Sequence, residues 1–184
     1  MVERRPLRLD GLVELKPKRH FDQRGFFSEV WRDDWLSDLG RQVSFVQDNH
    51  AFSSARGVLR GLHFQIEPAA QDKLVHVVRG SVYDVAVDIR SGSPTFGQWE
   101  GITLSADLWN QLFIPKGFAH GYVVLEEDTV VLYKVSAPYA PALDRSIRFD
   151  DPAIGIDWQV DPGALIVSDR DRSAPFLAEV EASF

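Results

Sequence analysis

The sequence between residues 43 and 136 repeats one pattern: short apolar, β-branched runs spaced about ten residues apart and separated by turn signals. Such strand-length runs cover residues 43–53, 56–65, 73–79, 82–90, 97–104, 108–114, 120–125 and 129–136. Strands at this spacing are typical of an all-β sandwich or barrel. Because no helices alternate with the strands, a dinucleotide-binding fold is not expected. The chain is therefore predicted to be all-β.

The strongest local signal is the pair of strands at residues 73–79 and 82–90. They flank Gly80 and Ser81, a composition typical of a two-residue hairpin turn, so we predict that they pair with each other. The second strand is predicted to have one core face and one largely polar face, because Tyr83, Val85, Val87 and Ile89 alternate with Asp84, Ala86, Asp88 and Arg90.

Two short helices are also predicted. Residues 32–39 carry Asp33 and Asp34 in the first turn, which suits the helix dipole, and Gly40 follows as a stop signal. Residues 174–179 are the second helix candidate.

Composition restricts the possible functions. The net charge of -7 gives no electrostatic footprint for nucleic acid or an anionic membrane, so an anionic ligand requires a local cluster of basic side chains. The chain has no cysteine, which excludes disulfides and thiolate metal sites. No signal peptide or membrane-spanning run is evident, and we expect one cytoplasmic domain over residues 1–184.

Reactive side chains are concentrated in residues 56–65, R-G-V-L-R-G-L-H-F-Q, and in Lys73, eight residues further on. Polar groups within an apolar run are costly to bury without partners. Histidine takes up a proton near neutral pH, and a lysine stabilises negative charge on a substrate oxygen. His63 and Lys73 therefore suggest proton abstraction beside a carbonyl group. The alternative is a structural, hydrogen-bonded histidine, which is common in strands.

Residues 115–120, P-K-G-F-A-H, end one strand and begin the next. P-x-G-x-x-H is similar to the second motif of cupin barrels, in which the histidine, here His120, points into the barrel. A turn followed by a surface histidine would give the same pattern. A metal-binding cupin also needs an H-x-H pair, and the matching residues here are His63, Phe64 and Gln65. Gln65 removes one ligand, so no metal site is predicted.

Seven motifs in order identify a family. They are F-D-Q-R-G-F-F-S-E, F-V-Q-D-N-H, R-G-V-L-R-G-L-H-F-Q, A-Q-D-K-L-V, F-I-P-K-G-F-A-H-G, V-V-L-Y-K-V-S and I-R-F-D-D-P-A-I-G-I-D-W. On these motifs the chain resembles the dTDP-4-dehydrorhamnose 3,5-epimerases. The resemblance implies a cupin-type jelly-roll β-barrel with a few short peripheral helices. It also implies a homodimer whose N-terminal segment crosses to the partner subunit.

The resemblance further implies a cofactor-free isomerase that inverts C3 and C5 of dTDP-4-dehydro-6-deoxy-D-glucose through an enolate. His63 matches the general base and Asp171 the aspartate that orients it. Lys73 matches the group that stabilises the enolate oxygen, and Tyr133 the acid on the opposite face, with Tyr139 as the second candidate for this acid. Tyr133 also alternates with Val131 and Val135, so core packing alone would explain it.

The other residues that match the family's substrate contacts are Arg24 and Arg60 for the diphosphate, with Phe26, Glu29, Gln47, Asn49, His120 and Tyr139 for the nucleoside and sugar. Strict alternation places Arg60 and His63 on opposite faces of one strand, and a bulge at Gly61 would bring them together. Asp72 and His76 depart from the family pattern, and a carboxylate at Asp72 is expected to act on the pKa of Lys73 or on substrate preference.

Three other functions remain open at this point. A single-site epimerase of the same family inverts only C3 or C5, and the sequence does not separate it from the 3,5-epimerase. A metal-dependent cupin enzyme is disfavoured by Gln65. A non-catalytic sugar-nucleotide binding module would leave His63, Asp171 and Tyr133 without a role.

Overall fold

The computed structural model describes residues 2–180, and its regular structure consists mostly of β-strands. The strands of the first half are β1 (Val2–Pro6), β2 (Val13–Pro17), β3 (His20–Asp22), β4 (Gly25–Phe27), β5 (Gln47–Ser53), β6 (Val58–Gln65) and β7 (Lys73–Arg79). They are followed by β8 (Ser81–Asp88), β9 (Trp99–Ser105), β10 (Gln111–Ile114), β11 (Phe118–Val124), β12 (Thr129–Val135), β13 (Asp144–Ser146) and β14 (Ile166–Val167).

The helical segments are short. The predicted helix at residues 32–39 is a 3-10 helix, Asp33–Leu39, and it ends at Gly40 in the left-handed conformation. Only Leu177–Glu179 of the helix predicted at residues 174–179 is helical, because Pro175 disfavours helical backbone before it. The α-helix α1 (Asp169–Arg172) was not predicted, and two more 3-10 turns lie at Pro141–Leu143 and Pro162–Ala164.

Two sheets pack face to face in a jelly-roll arrangement, which confirms the predicted fold class. Within residues 2–180 the first sheet has the order β1-β2-β10-β7-β12-β5 and the second the order β13-β6-β11-β8-β9, with β14 beside β6. Their inner faces share one core, to which β7 contributes Val75 and Val77 and β8 contributes Val82 and Ala86. The space between the sheets also contains a cavity lined by His63, Lys73 and Tyr133.

The predicted hairpin at Gly80 and Ser81 is wrong. β7 pairs with β10 and β12 in the first sheet, whereas β8 pairs with β9 and β11 in the second. The chain passes from one sheet to the other at Gly80, whose φ is 74°. A glycine-serine turn suits this crossing as well as a hairpin, and only the long-range pairings decide between them.

The predicted polar face of β8 is also wrong, because both faces of this strand are buried. Asp84 and Asp88 are fully buried. Val85 and Val87 face a second core, which the C-terminal segment covers with Trp158 and Leu177. The strand therefore lies inside the sandwich, between two cores. Its buried carboxylates are tolerated because each of them has hydrogen-bond partners.

The outer face of the first sheet is covered on one half only. Trp35 and Leu36 pack there against β2, β7 and β10. On the other half Phe52 of the edge strand β5 is 53% exposed. The β3–β4 hairpin is exposed along its whole length, including Phe21 and Phe27. Among residues 2–180 no helix is long and apolar enough to cross a membrane.

Candidate active site

The active-site candidate is a cavity of about 710 Å³ between the two sheets. Both sheets and the loops at their ends contribute to its walls. Of the residues predicted from the sequence, those that line it are Gln47, Asn49, Arg60, His63, Lys73, His120, Tyr133, Tyr139 and Asp171.

A bulge in β6 brings Arg60 and His63 to the same cavity. Tyr122 pairs with Arg60 and His120 with His63, so two residues of β6 lie opposite the single residue Gly121. Gly61 has a φ of 134°, a conformation that favours glycine. A Cβ at Gly61 would lie 2.5 Å from the Cα of Gly121, so the two strands require glycine at this contact. The bulge predicted at Gly61 is therefore confirmed.

His63 and Asp171 form a hydrogen-bonded pair. The His63 Nε2 lies 2.7 Å from the Asp171 Oδ1, and the Asp171 side chain is 5% exposed. Ser168 caps α1 by accepting a hydrogen bond from the Asp171 backbone N–H, which fixes this short helix. Burial alone would raise the pKa of Asp171, but the hydrogen bond and charge of His63 and the Gly61 N–H hold it below the usual value. The His63 Nδ1 has no hydrogen-bond partner among residues 2–180 and is left for a ligand.

Lys73 is buried at the start of β7, where its Nζ donates to the His63 backbone oxygen at 3.1 Å. Burial lowers the pKa of Lys73 to about 8, against the opposing charges of Asp144 and Asp84. Lys73 is thus still largely protonated at neutral pH. Asp72 is not among these charges: its carboxylate accepts from Ser136 Oγ and the Lys116 N–H, so the predicted effect of Asp72 on the Lys73 pKa is wrong.

Tyr133 stands on β12, in the opposite sheet from His63. It packs against the inner core and also lines the cavity, so its position is compatible with both roles considered from the sequence. Burial raises the pKa of Tyr133, with the charge of Arg60 acting in the opposite direction. The phenol is therefore a proton donor at neutral pH.

His120 forms a second histidine–carboxylate pair. Its Nε2 lies 3.0 Å from both carboxylate oxygens of Asp84, which has no solvent exposure. Burial lowers the pKa of His120, although Asp84 opposes this shift. His120 is paired with His63 across β6 and β11, so the two histidines are neighbours in the second sheet.

Three predicted binding residues do not reach this cavity. Arg24 is exposed on the β3–β4 hairpin, where it forms an ion pair with Asp22 at 2.6 Å. Phe26 packs edge-on against Trp109, with the ring centroids 4.8 Å apart. Glu29 is exposed and lies 3.5 Å from Arg32.

Sequence reasoning missed Asp84, Asp144 and Arg170, which lie in or beside the site. Arg170 donates to the Asp144 carboxylate at 2.6 Å, and both line the cavity. The adjacent Asp171 was the signal that could have pointed to Arg170. Asp84 was assigned to a largely polar face, although the apolar residues on both sides of it are typical of a strand buried on both faces.

Two further residues singled out in the sequence have structural roles. The Gln65 amide donates to the backbone oxygens of Ala69 and Pro138 and accepts from the Ala140 N–H, so both of its ends are engaged. Within the described part of the chain, no group of three or more histidine and carboxylate side chains is arranged to hold a metal ion. His76 lies outside the cavity, edge-on to Trp109, and burial lowers its pKa to about 4.

Comparison with known proteins finds relatives that cover nearly the whole chain. A dTDP-4-dehydrorhamnose 3,5-epimerase of Salmonella typhimurium is 51% identical over 172 residues, which cover 92% of each chain. That of Sinorhizobium fredii is 48% identical over 92% of this chain and 87% of its own.

Solved structures extend the comparison to the fold. The Legionella pneumophila dTDP-6-deoxy-D-glucose-3,5-epimerase, in complex with dTDP-4-keto-L-rhamnose, superposes with a TM-score of 0.93 at 43% identity and covers 99% of this chain and 96% of its own. The Bacillus anthracis enzyme with TDP and PPi bound gives a TM-score of 0.91 at 43% identity, covering 96% of this chain and 99% of its own. Residues 6–179 match the family described as dTDP-4-dehydrorhamnose 3,5-epimerase, and the chain belongs to that family.

Proposed function

We propose that this chain inverts C3 and C5 of dTDP-4-dehydro-6-deoxy-D-glucose and so forms dTDP-4-dehydro-L-rhamnose. One observation carries the proposal: the His63–Asp171 pair, at 2.7 Å, lies on a cavity that Lys73 and Tyr133 also line. Base, orienting carboxylate, oxyanion partner and acid are the four groups that such an inversion requires.

The first step is deprotonation beside the C4 carbonyl, which makes the hydrogens on C3 and C5 acidic. The free Nδ1 of His63 takes the proton, and the electron pair of the broken C–H bond moves to form an enolate. Lys73 stabilises the charge that develops on O4. Asp171 keeps the His63 proton on Nε2 before the reaction and stabilises the imidazolium afterwards.

The second step returns a proton to the same carbon from the other side. Tyr133 lies in the sheet opposite His63, and its raised pKa keeps the phenol protonated. Proton transfer from Tyr133 to carbon inverts the centre, and His63 then releases its proton through solvent to restore Tyr133. The sugar keeps its oxidation state throughout, so the reaction as written uses no redox cofactor.

The nucleotide half of the substrate requires cationic and amide groups at the cavity mouth. Arg60 is exposed and donates to the Phe52 backbone oxygen, which leaves further N–H groups for the diphosphate. Gln47 and Asn49 are joined side chain to side chain at 2.8 Å on β5. Tyr139 is 55% exposed at the end of the cavity and offers an aromatic face to the nucleoside.

We further infer a homodimer in which the β3–β4 hairpin of one chain completes the cavity of the other. Arg24 and Phe26 match the family's binding residues but do not reach the cavity of their own chain. The exposed aromatic residues of this hairpin and the open edge of β5, with Phe52, offer surfaces for such an exchange. A cytoplasmic location is part of the same proposal and is checked by cell fractionation.

Co-expression of two inactive variants tests the composite site. Chains with His63→Ala have a defective cavity, and chains with Arg24→Ala have a defective hairpin. In a mixed dimer with exchanged hairpins, one site combines an intact cavity with an intact hairpin, so about one quarter of wild-type activity returns. If the hairpin serves its own chain, co-expression never exceeds the sum of the two variants, and the composite site is wrong.

Deuterium incorporation tests the reaction itself. We expect the wild-type protein, with substrate in deuterated water and a chelator present, to wash deuterium into both C3 and C5. Exchange at one carbon would indicate a single-site enzyme, like the 3'-monoepimerase of Streptomyces bikiniensis that shares 37% identity with this chain. No exchange at either carbon, with the nucleotide still bound, would refute the proposed function.

A further inference from the structure

The His120–Asp84 pair repeats the arrangement of the His63–Asp171 pair with a different degree of burial. In both pairs Nε2 faces a carboxylate and Nδ1 has no hydrogen-bond partner among residues 2–180. The His63 side chain is 33% exposed, whereas that of His120 is 8% exposed. The accessible histidine suits proton transfer, and the buried one suits a fixed contact.

Asp84 determines which nitrogen of His120 carries the proton. A carboxylate only accepts hydrogen bonds, and both of its oxygens lie 3.0 Å from Nε2. The proton of the neutral ring therefore lies on Nε2. Burial, together with the charges of Lys73 and His63, lowers the pKa of His120, so the ring is neutral at neutral pH and its Nδ1 is an acceptor.

Within the described residues, the Nδ1 atoms of His63 and His120 are therefore both unpaired acceptors on this cavity, and only that of His63 takes part in the proposed proton transfer. Lys73 and Arg60 are donors only, and Tyr133 provides a hydroxyl group. A 4-keto-6-deoxyhexose has free hydroxyl groups on C2 and C3, and a hydroxyl hydrogen is the partner that an unprotonated imidazole nitrogen needs. A ligand without that hydroxyl would leave Nδ1 buried and unpaired, which weakens binding.

We propose that Asp84 is a positioning residue: it holds His120 with its proton on Nε2, so that Nδ1 accepts a hydrogen bond from one sugar hydroxyl, at C2 or C3, and selects sugars that carry it. This inference takes the class of sugar, a 4-keto-6-deoxyhexose, from the proposed function and rests on it in that respect. Asp84 acts through His120 and touches no substrate atom itself.

Binding of unreactive ligands tests this assignment. The probes are dTDP-6-deoxyglucose, its 2-deoxy and 3-deoxy counterparts, and dTDP alone, measured by isothermal titration calorimetry. For the wild type we expect one of the two deoxy probes to bind about tenfold more weakly than the parent. Asp84→Asn allows the His120 tautomer with its proton on Nδ1. The affinities of the parent and the deoxy probe should then differ by no more than about twofold. An equal affinity for dTDP in both proteins shows that the nucleotide site is intact.

Two more variants separate positioning from general stability. The double variant Asp84→Leu with His120→Phe removes both polar groups without leaving a buried charge unpaired, and the hydroxyl preference should again disappear. Asp171→Asn, at the other pair, should keep the preference while it loses deuterium exchange.

Nitrogen-15 NMR reads the tautomer directly. The wild type should show a His120 ring with a protonated Nε2 and a bare Nδ1, a signature that His120→Phe removes and Asp84→Asn alters. The inference is overturned if both deoxy probes bind the wild type as the parent does, or if Asp84→Asn keeps the wild-type ratio. A preference that depends on Asp84 without deuterium exchange would refute the proposed function and leave this inference standing.

Discussion

Replacement of Lys73 by methionine should stabilise the fold while it abolishes the reaction. Lys73 is buried, and its pKa falls from 10.5 to about 8 because the ammonium loses its hydration. That difference corresponds to about 3 kcal/mol of cost for the charged form at pH 7. The substitution also removes the hydrogen bond from the Lys73 Nζ to the His63 backbone oxygen, and this loss offsets about 1 kcal/mol of the gain. The expected gain in free energy of unfolding is therefore about 2 kcal/mol.

The pH dependence of this gain identifies its cause. Between pH 8 and 10.5 the unfolded chain still binds the proton that folded Lys73 has released. Wild-type stability consequently rises with pH through this window, and the advantage of Lys73→Met should disappear by about pH 10. Below pH 8 the advantage is fully present.

Urea denaturation of both proteins, at one protein concentration and without nucleotide, measures the effect at pH 7 and pH 10. Lys116→Met is the matched control, because Lys116 is exposed and pairs with Glu67 at 2.8 Å. The free energy of unfolding of Lys116→Met should be lower than that of the wild type by less than about 1 kcal/mol, and it should show no gain at pH 7. A Lys73→Met protein that is less stable at pH 7, or a difference that is constant from pH 7 to 10, would refute the reasoning.

Three other substitutions separate the parts of the site. Gly61→Ala places a Cβ 2.5 Å from the Cα of Gly121 at a φ of 134°. We expect the free energy of unfolding, measured with urea, to fall by about 2–4 kcal/mol. An unchanged urea midpoint would contradict the need for glycine at the bulge. Asp171→Asn frees the His63 ring, and kcat should fall roughly 10²–10⁴-fold at unchanged dTDP affinity. Tyr133→Phe should still wash in deuterium without inversion, because His63 returns the label to the same face; complete inversion in this variant would exclude Tyr133 as the acid.

Local sequence patterns predicted the positions of the strands better than they predicted which strands pair. The bulge at Gly61 followed from the need to bring Arg60 and His63 together, and the β6–β11 register bears it out. The Gly80 turn was misassigned because turn composition fixes a change of direction and not the sheet that the next strand joins. In a jelly roll that choice depends on pairings between residues far apart in the sequence.

Local sequence patterns also did not predict which polar side chains are buried. Alternating carboxylates in β8 indicated a largely polar face, yet Asp84 and Asp88 are fully buried and hydrogen-bonded. The partner of Asp84 is His120, which lies 36 residues further along the chain. Likewise, the sequence placed Asp171 near His63 only through the family resemblance, because the two residues are 108 positions apart.

In the proposed reaction one base, His63, serves both inversions. The most direct test follows deuterium wash-in at C3 and C5 by NMR for the wild type and for His63→Ala, with dTDP binding as the check on folding. We expect exchange at both carbons to fall together, by roughly 10²-fold or more, while dTDP affinity is kept. Wash-in that persists at either carbon in His63→Ala would show a second base and contradict the claim.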